Sequence, residues 1–160
     1  MKYRYRTLAF LFALSIITFL DRVCMNVVSK YVKADLGLNN QELGWILGAF
    51  SLAYALFEIP TGAMGDTIGP RRVLTRVVLW WSGFTALTGT AFSFLYLLVV
   101  RFLFGVGEAG AYPNATIAIS RWFPAVEVGR AQSVIWAAGR IGGALTPLLV
   151  IPLVHAVGWR

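Results

Sequence analysis

Five apolar blocks, each long enough to cross a hydrocarbon core, limit this chain more than any other feature. They run from Thr7 to about Val28, Leu43 to Met64, Val73 to Phe92, Phe94 to Ile119 and Ala131 to Val154. A helix rises about 1.5 Å per residue, so about 20 residues cover the roughly 30 Å of a bilayer interior. The pieces between them, VKADLGLNNQE, GDTIGPRR, a short stretch at Ser93 and SRWFPAVEVGR, are too short for a soluble domain. Composition agrees: 58% of residues are hydrophobic and only 13% charged, where soluble chains carry roughly a quarter. The expected fold class is an all-α membrane protein with about five transmembrane helices. MKYRYR and the apolar run after it have the outline of a secretory leader. They lack a small-residue cleavage site and continue through Asp21-Arg22 to Ser29, so the segment reads as a retained first helix. Cys24 is the only cysteine, which excludes an internal disulfide.

Basic residues give the orientation. If every block crosses, Lys2, Arg4, Arg6, Arg71, Arg72, Arg76, Arg121 and Arg130 share one side, against Lys30, Lys33 and Arg160 on the other. The positive-inside rule then places the N-terminus in the cytoplasm, as expected of a multi-pass protein of a plasma membrane, such as a bacterial inner membrane. The net charge of +7 is mostly this topological signal. Nucleic-acid binding would need the same residues clustered on a soluble face, and none is offered.

Asp21, Arg22, Glu58, Arg101, Glu108 and Arg140 lie inside the blocks, where a charge is expensive unless it faces a bundle interior, a partner or a water-filled cavity. In RFLFGVGEAGAYPN, Arg101 and Glu108 are seven residues apart. That is about 700° of helix, so they share a face within roughly 20° but stand about 10 Å apart along the axis. They cannot touch without bending toward each other, and the spacing suits a cavity wall. Asp21 and Arg22 fall at similar depth on the first helix, so two acids and two bases can meet there.

Two other motifs need weighing. Gly105, Gly107 and Gly110 spell G-x-G-x-x-G, the outline of a dinucleotide fingerprint. The preceding run is too long for a strand, so close helix packing explains these glycines better. No cofactor, no metal site and no enzymatic activity is expected. The second motif, GAMGDTIGPRR, falls at the turn between the second and third helices, with Pro70 suited to a first helical turn and Asp66 to a helix N-terminus.

That turn resembles the signature loop of the major facilitator superfamily, a G-x-x-x-D-R-x-G-R-R pattern matched by Gly62, Asp66, Gly69, Arg71 and Arg72. Thr67 and Pro70 depart from it. LDRVCMN, RFLFGVGEAGAYPN, SRWFP and the closing GWR are similar to the anion:cation symporter family within it. The resemblance implies secondary transport of a small organic anion such as a sugar acid or hexuronate, driven by a proton or sodium ion. It implies that Arg22 binds substrate, that Asp21 and Glu108 couple protons, that Arg101 is the ion-pair partner of Glu108, and that Gly62 to Arg72 form a gating loop. It also implies twelve helices in two halves. Residues 1–160 are then expected to be an incomplete N-terminal bundle, with the C-terminal half absent.

A membrane protein that does not transport, its charges serving as fixed ties between helices, is the alternative. The topology is testable by labelling Thr67→Cys, Ser93→Cys and Glu127→Cys from each side. Positions 67 and 127 should react from the cytoplasm and 93 from outside; cytoplasmic labelling of position 93 alone would refute the orientation.

Overall fold

The structure, a computed structural model, describes residues 2–160. Six helices follow one another: α1 (Lys2–Leu36), α2 (Asn40–Ile68), α3 (Pro70–Gly89), α4 (Phe94–Glu108), α5 (Ala111–Trp122) and α6 (Ala125–Val157). No strand occurs among the described residues. The helices run beyond the apolar blocks at most ends, and caps define several of their starts. Asn39 accepts from the Glu42 backbone N–H while the Glu42 carboxylate accepts from that of Asn39, a reciprocal box that starts α2. Ser93 caps α4, and Pro70 opens α3 after Gly69 turns the chain at φ +91°.

Four stretches are long and apolar enough to cross a membrane: Tyr3–Leu36, Asn40–Ile68, Phe94–Trp122 and Ala125–Val157. The remaining long helix, α3, is outside that set because Arg71, Arg72 and Arg76 crowd its start. The fourth block is two helices, α4 and α5, separated at Ala109-Gly110. Its cause is Pro113, which has no N–H to offer the carbonyl four residues earlier and whose ring crowds it.

The most extensive packing is of α1 on α6 and of α2 on α4, with α3 against α4 and α5. Each of the first two pairs uses a glycine to bring backbones together. A Cβ at Gly142 of α6 would overlap the Ile16 carbonyl of α1, and one at Gly105 of α4 would overlap the Phe50 carbonyl of α2. Gly107 seats Trp80 and Gly110 seats Thr61, so all three glycines of the G-x-G-x-x-G run serve close packing. α5 is tied in by polar contacts. Ser15 donates to the Ile135 carbonyl at 2.8 Å; its one proton thus engaged, it accepts from the Tyr112 hydroxyl at 2.8 Å. Asn114, fully buried, donates to the carbonyls of Thr61 and Gly110.

The ends of the bundle close with ion pairs. Arg4 meets Glu127 at 3.1 Å at one end, and Arg160 pairs with Asp35 at the other. Apolar clusters fill both ends, one around Val32, Ile46 and Leu97 and the other around Leu11, Ile119 and Ile135.

Gly105→Val should force α4 off α2 and destabilise the protein by about 1–3 kcal/mol, the usual range for overpacking. Gly83→Ala, facing open space, is the control and should leave stability unchanged or slightly raised. Thermal unfolding of the purified protein in detergent measures both.

Candidate functional site

The charged cluster is assembled by α1, α2 and α4. Arg22 Nη2 of α1 donates to Glu108 Oε1 of α4 at 2.7 Å. Glu108 is 1% exposed, whereas the Arg22 side chain keeps 26% of its surface open. The Arg22 guanidinium lies over the Tyr54 ring at 4.5 Å and the Phe50 ring at 5.3 Å, both from α2. Glu108 Oε2 has no hydrogen-bond partner among the described residues, which leaves one carboxylate oxygen with room for a proton.

Arg101 is arranged differently. It is 4% exposed and stacked over Phe104 at 4.7 Å and over Phe50 at 5.2 Å. Its Nε has no acceptor, and no carboxylate lies within ion-pairing distance among the described residues. The expected Arg101–Glu108 pair is therefore corrected: the partner of Glu108 is Arg22. The 10 Å of helix axis between residues 101 and 108 keeps them apart, while α1 presents Arg22 directly to Glu108.

Two cavities meet at Arg101. The first, about 310 Å³, is lined by Arg22, Asn26, Leu47, Phe50, Ser51, Tyr54 and Arg101. The second, about 220 Å³, lies on the other side of Arg101 and is bordered by Asp21, Cys24, Thr85 and Thr88, among others. Of the two acids and two bases expected at one depth, one acid and one base are paired between α1 and α4. Arg22 and Glu108 are in contact, and Asp21 and Arg101 share a cavity wall.

Tyr54, Phe50, Ser51 and Asn26 are site residues that a search for charge passes over. Spacing would have found some of them. Ser51, Tyr54 and Glu58 fall on one face of α2 at three- and four-residue intervals, and Asn26 is one turn after Arg22 on α1. Glu58 accepts from the Tyr54 hydroxyl at 3.5 Å, and Arg140 is exposed midway along α6.

The turn of Gly62, Asp66, Gly69, Arg71 and Arg72 lies apart from this cluster. Gly62 faces Pro113 of α5. Asp66, expected near a helix N-terminus, is in the last turn of α2 and exposed, because α2 continues to Ile68 before Gly69 turns the chain. Arg71 and Arg72 are exposed as well. The Arg121 guanidinium of α5 donates to the Gly65 carbonyl at 3.4 Å, where a cation complements the C-terminal end of α2.

Known proteins resemble this chain along its length. The sequence model of the Major Facilitator Superfamily matches residues 11–160. The chain is 40% identical to the probable sulfoacetate transporter of Cupriavidus necator over 160 residues, all of this chain and 37% of that protein. It is 35% identical to the probable L-galactonate transporter of Escherichia coli over 94% of this chain and 33% of that one. With the hexuronate transporter of Bacillus subtilis it shares 30% identity over 94% of this chain and 36% of that protein. The crystal structure of a bacterial homologue of the human lysosomal transporter Spinster, inward-facing and unoccupied, superposes with a TM-score of 0.86 at 25% identity. That match covers 99% of this chain and 36% of the other. The chain thus spans about a third of the length of the curated relatives it matches. With the superfamily model running from residue 11 to residue 160 and a solved transporter superposing on nearly every residue, the chain belongs to the major facilitator superfamily.

Proposed function

We propose that the protein carries small organic anions across a membrane by alternating access, in symport with a proton. The observation that carries the reading is the convergence of the Arg22 and Arg101 guanidiniums on one cavity, beside a buried acid already bound to one of them. The names of the relatives support it, since they are described as transporters of sulfoacetate, L-galactonate and hexuronate. The substrate is then a sugar acid, hexuronate or similar carboxylate. By the same reading five spans cross a bacterial inner membrane with the N-terminus in the cytoplasm, and the exposed Phe10, Ile59, Leu79 and Leu148 face acyl chains.

Coupling follows from competition for Arg22. One Nη2 holds Glu108, and a guanidinium has five N–H donors arranged to grip a second carboxylate. An incoming anion draws Arg22 toward itself and loosens that hold. A carboxylate as buried as Glu108 is costly to keep charged without its cation, so it takes a proton as the anion arrives. Release on the far side restores the pair and frees the proton. Asp21, across the second cavity from Arg101, is the other coupling acid in this reading. The exposed Asp66, Arg71 and Arg72 make contacts that change as the carrier rocks, gating from the turn that Gly62 and Gly69 shape.

Glu108→Gln in the full-length carrier, which mimics the protonated acid, should abolish accumulation driven by a pH gradient while preserving substrate exchange. Continued accumulation against the gradient would make Glu108 a structural tie. Wild-type uptake should rise as external pH falls, because the proton enters with the anion; dependence on sodium with no response to pH would move the coupling ion to sodium.

Arg22→Lys should cut initial uptake about tenfold or more, since an ammonium cannot reproduce the bidentate fork. Radiolabelled uptake normalised to membrane expression reads the loss, and wild-type affinity in that variant would remove Arg22 from the site.

A further inference from the structure

We infer that the Arg22–Arg101 cavity is built for a short dianion, a substrate with two acid groups on a backbone of about two to four carbons, one acid held by each guanidinium. The inference rests on the reading of this cavity as the substrate site and narrows the class of anion it takes. Both guanidiniums lie over the same Phe50 ring, at 5.3 Å for Arg22 and 5.2 Å for Arg101. Their separation therefore cannot exceed the sum of those two distances. Each guanidinium carbon stands about 4 Å from the carbon of a carboxylate it grips, so the space between them suits acids close together on one small molecule.

Charge points the same way. Arg22 already has Glu108, but Arg101 is buried with, among the described residues, no carboxylate in contact and an unpartnered Nε. A buried cation without a carboxylate in contact is expensive; Glu108 and Asp21 act on it only from beyond contact distance, and the faces of Phe50 and Phe104 offset only part of the cost. When Glu108 takes its proton, Arg22 and Arg101 present two positive charges to one cavity. A monoanion leaves one of them uncompensated; a dianion meets both. Asn26, Ser51 and Tyr54 complete the lining with neutral donors and acceptors for hydroxyl or carbonyl groups on the backbone of the substrate.

The competing arrangement is that Asp21, from the second cavity, neutralises Arg101 and a single acid group suffices. The two are separable by calorimetric titration of the purified full-length carrier. Malonate, succinate and sulfoacetate serve as dianions, with acetate, butyrate and methanesulfonate as monoanions of matched chemistry. The expected result is binding of the dianions ~10-fold or more tighter than their monoanionic counterparts in the wild type. In Arg101→Gln that preference should shrink to within ~3-fold, and in Arg101→Lys it should be intermediate. Equal wild-type affinity for mono- and dianions overturns the inference while leaving anion transport standing, and it needs no variant that folds. Weakening of both classes by the same factor in Arg101→Gln also overturns it, because Arg101 would then act on the site as a whole. Failure of every anion to bind, together with no uptake of any of them, overturns the transport reading itself.

Discussion

The contact between Arg22 and Glu108 is the constraint around which the rest is arranged. It joins the first and fourth apolar blocks in the middle of the bundle, where a lone charge of either sign would be hard to keep. Removing one partner of such a pair leaves the other buried and uncompensated, typically at about 3–5 kcal/mol. The contact is also asymmetric: the acid is sealed while the base retains an open side. That asymmetry makes the pair more than a tie, because a ligand can approach the base without first prising the helices apart.

Backbone proximity is what makes the contact possible. Gly105 lets α4 lie against the Phe50 carbonyl of α2, and the Phe50 ring is in reach of both guanidiniums. Pro113 interrupts the fourth block just after Glu108, and α5 is anchored by Asn114 on the Thr61 carbonyl. The acid is thus held at the last turn of a helix whose course is fixed on both sides. Tyr112, just past the break, is secured by Ser15 of α1, so α1 is registered against α5 as well as against α4.

Much of this was legible in the residues. Length and hydropathy gave the helices, and the seven-residue spacing of Arg101 and Glu108 showed that they share a face without touching. Spacing along one helix could not show which residue of another helix would reach Glu108, since that depends on how α1 is rotated against α4, a matter of Gly142 and Gly105 packing rather than of local pattern. The aromatic shell was missed for a related reason. Phe50 and Tyr54 look like ordinary apolar filling until two cations are found over them. Asp66 was misplaced because nothing in the residues before Gly69 stops α2, and a helix goes on until something ends it.

The Gly142–Ile16 contact makes substitution lopsided. What α1 contributes there is a carbonyl oxygen, which any residue at position 16 would supply, while α6 contributes the absence of a side chain. Position 16 can therefore drift among residues that suit its half-open surroundings, with no loss at this crossing. Position 142 cannot drift at all without parting the two longest helices of the bundle. Two residues that meet at one point on the molecule are thus under very different freedom to change, and only one of them carries that restriction in its identity.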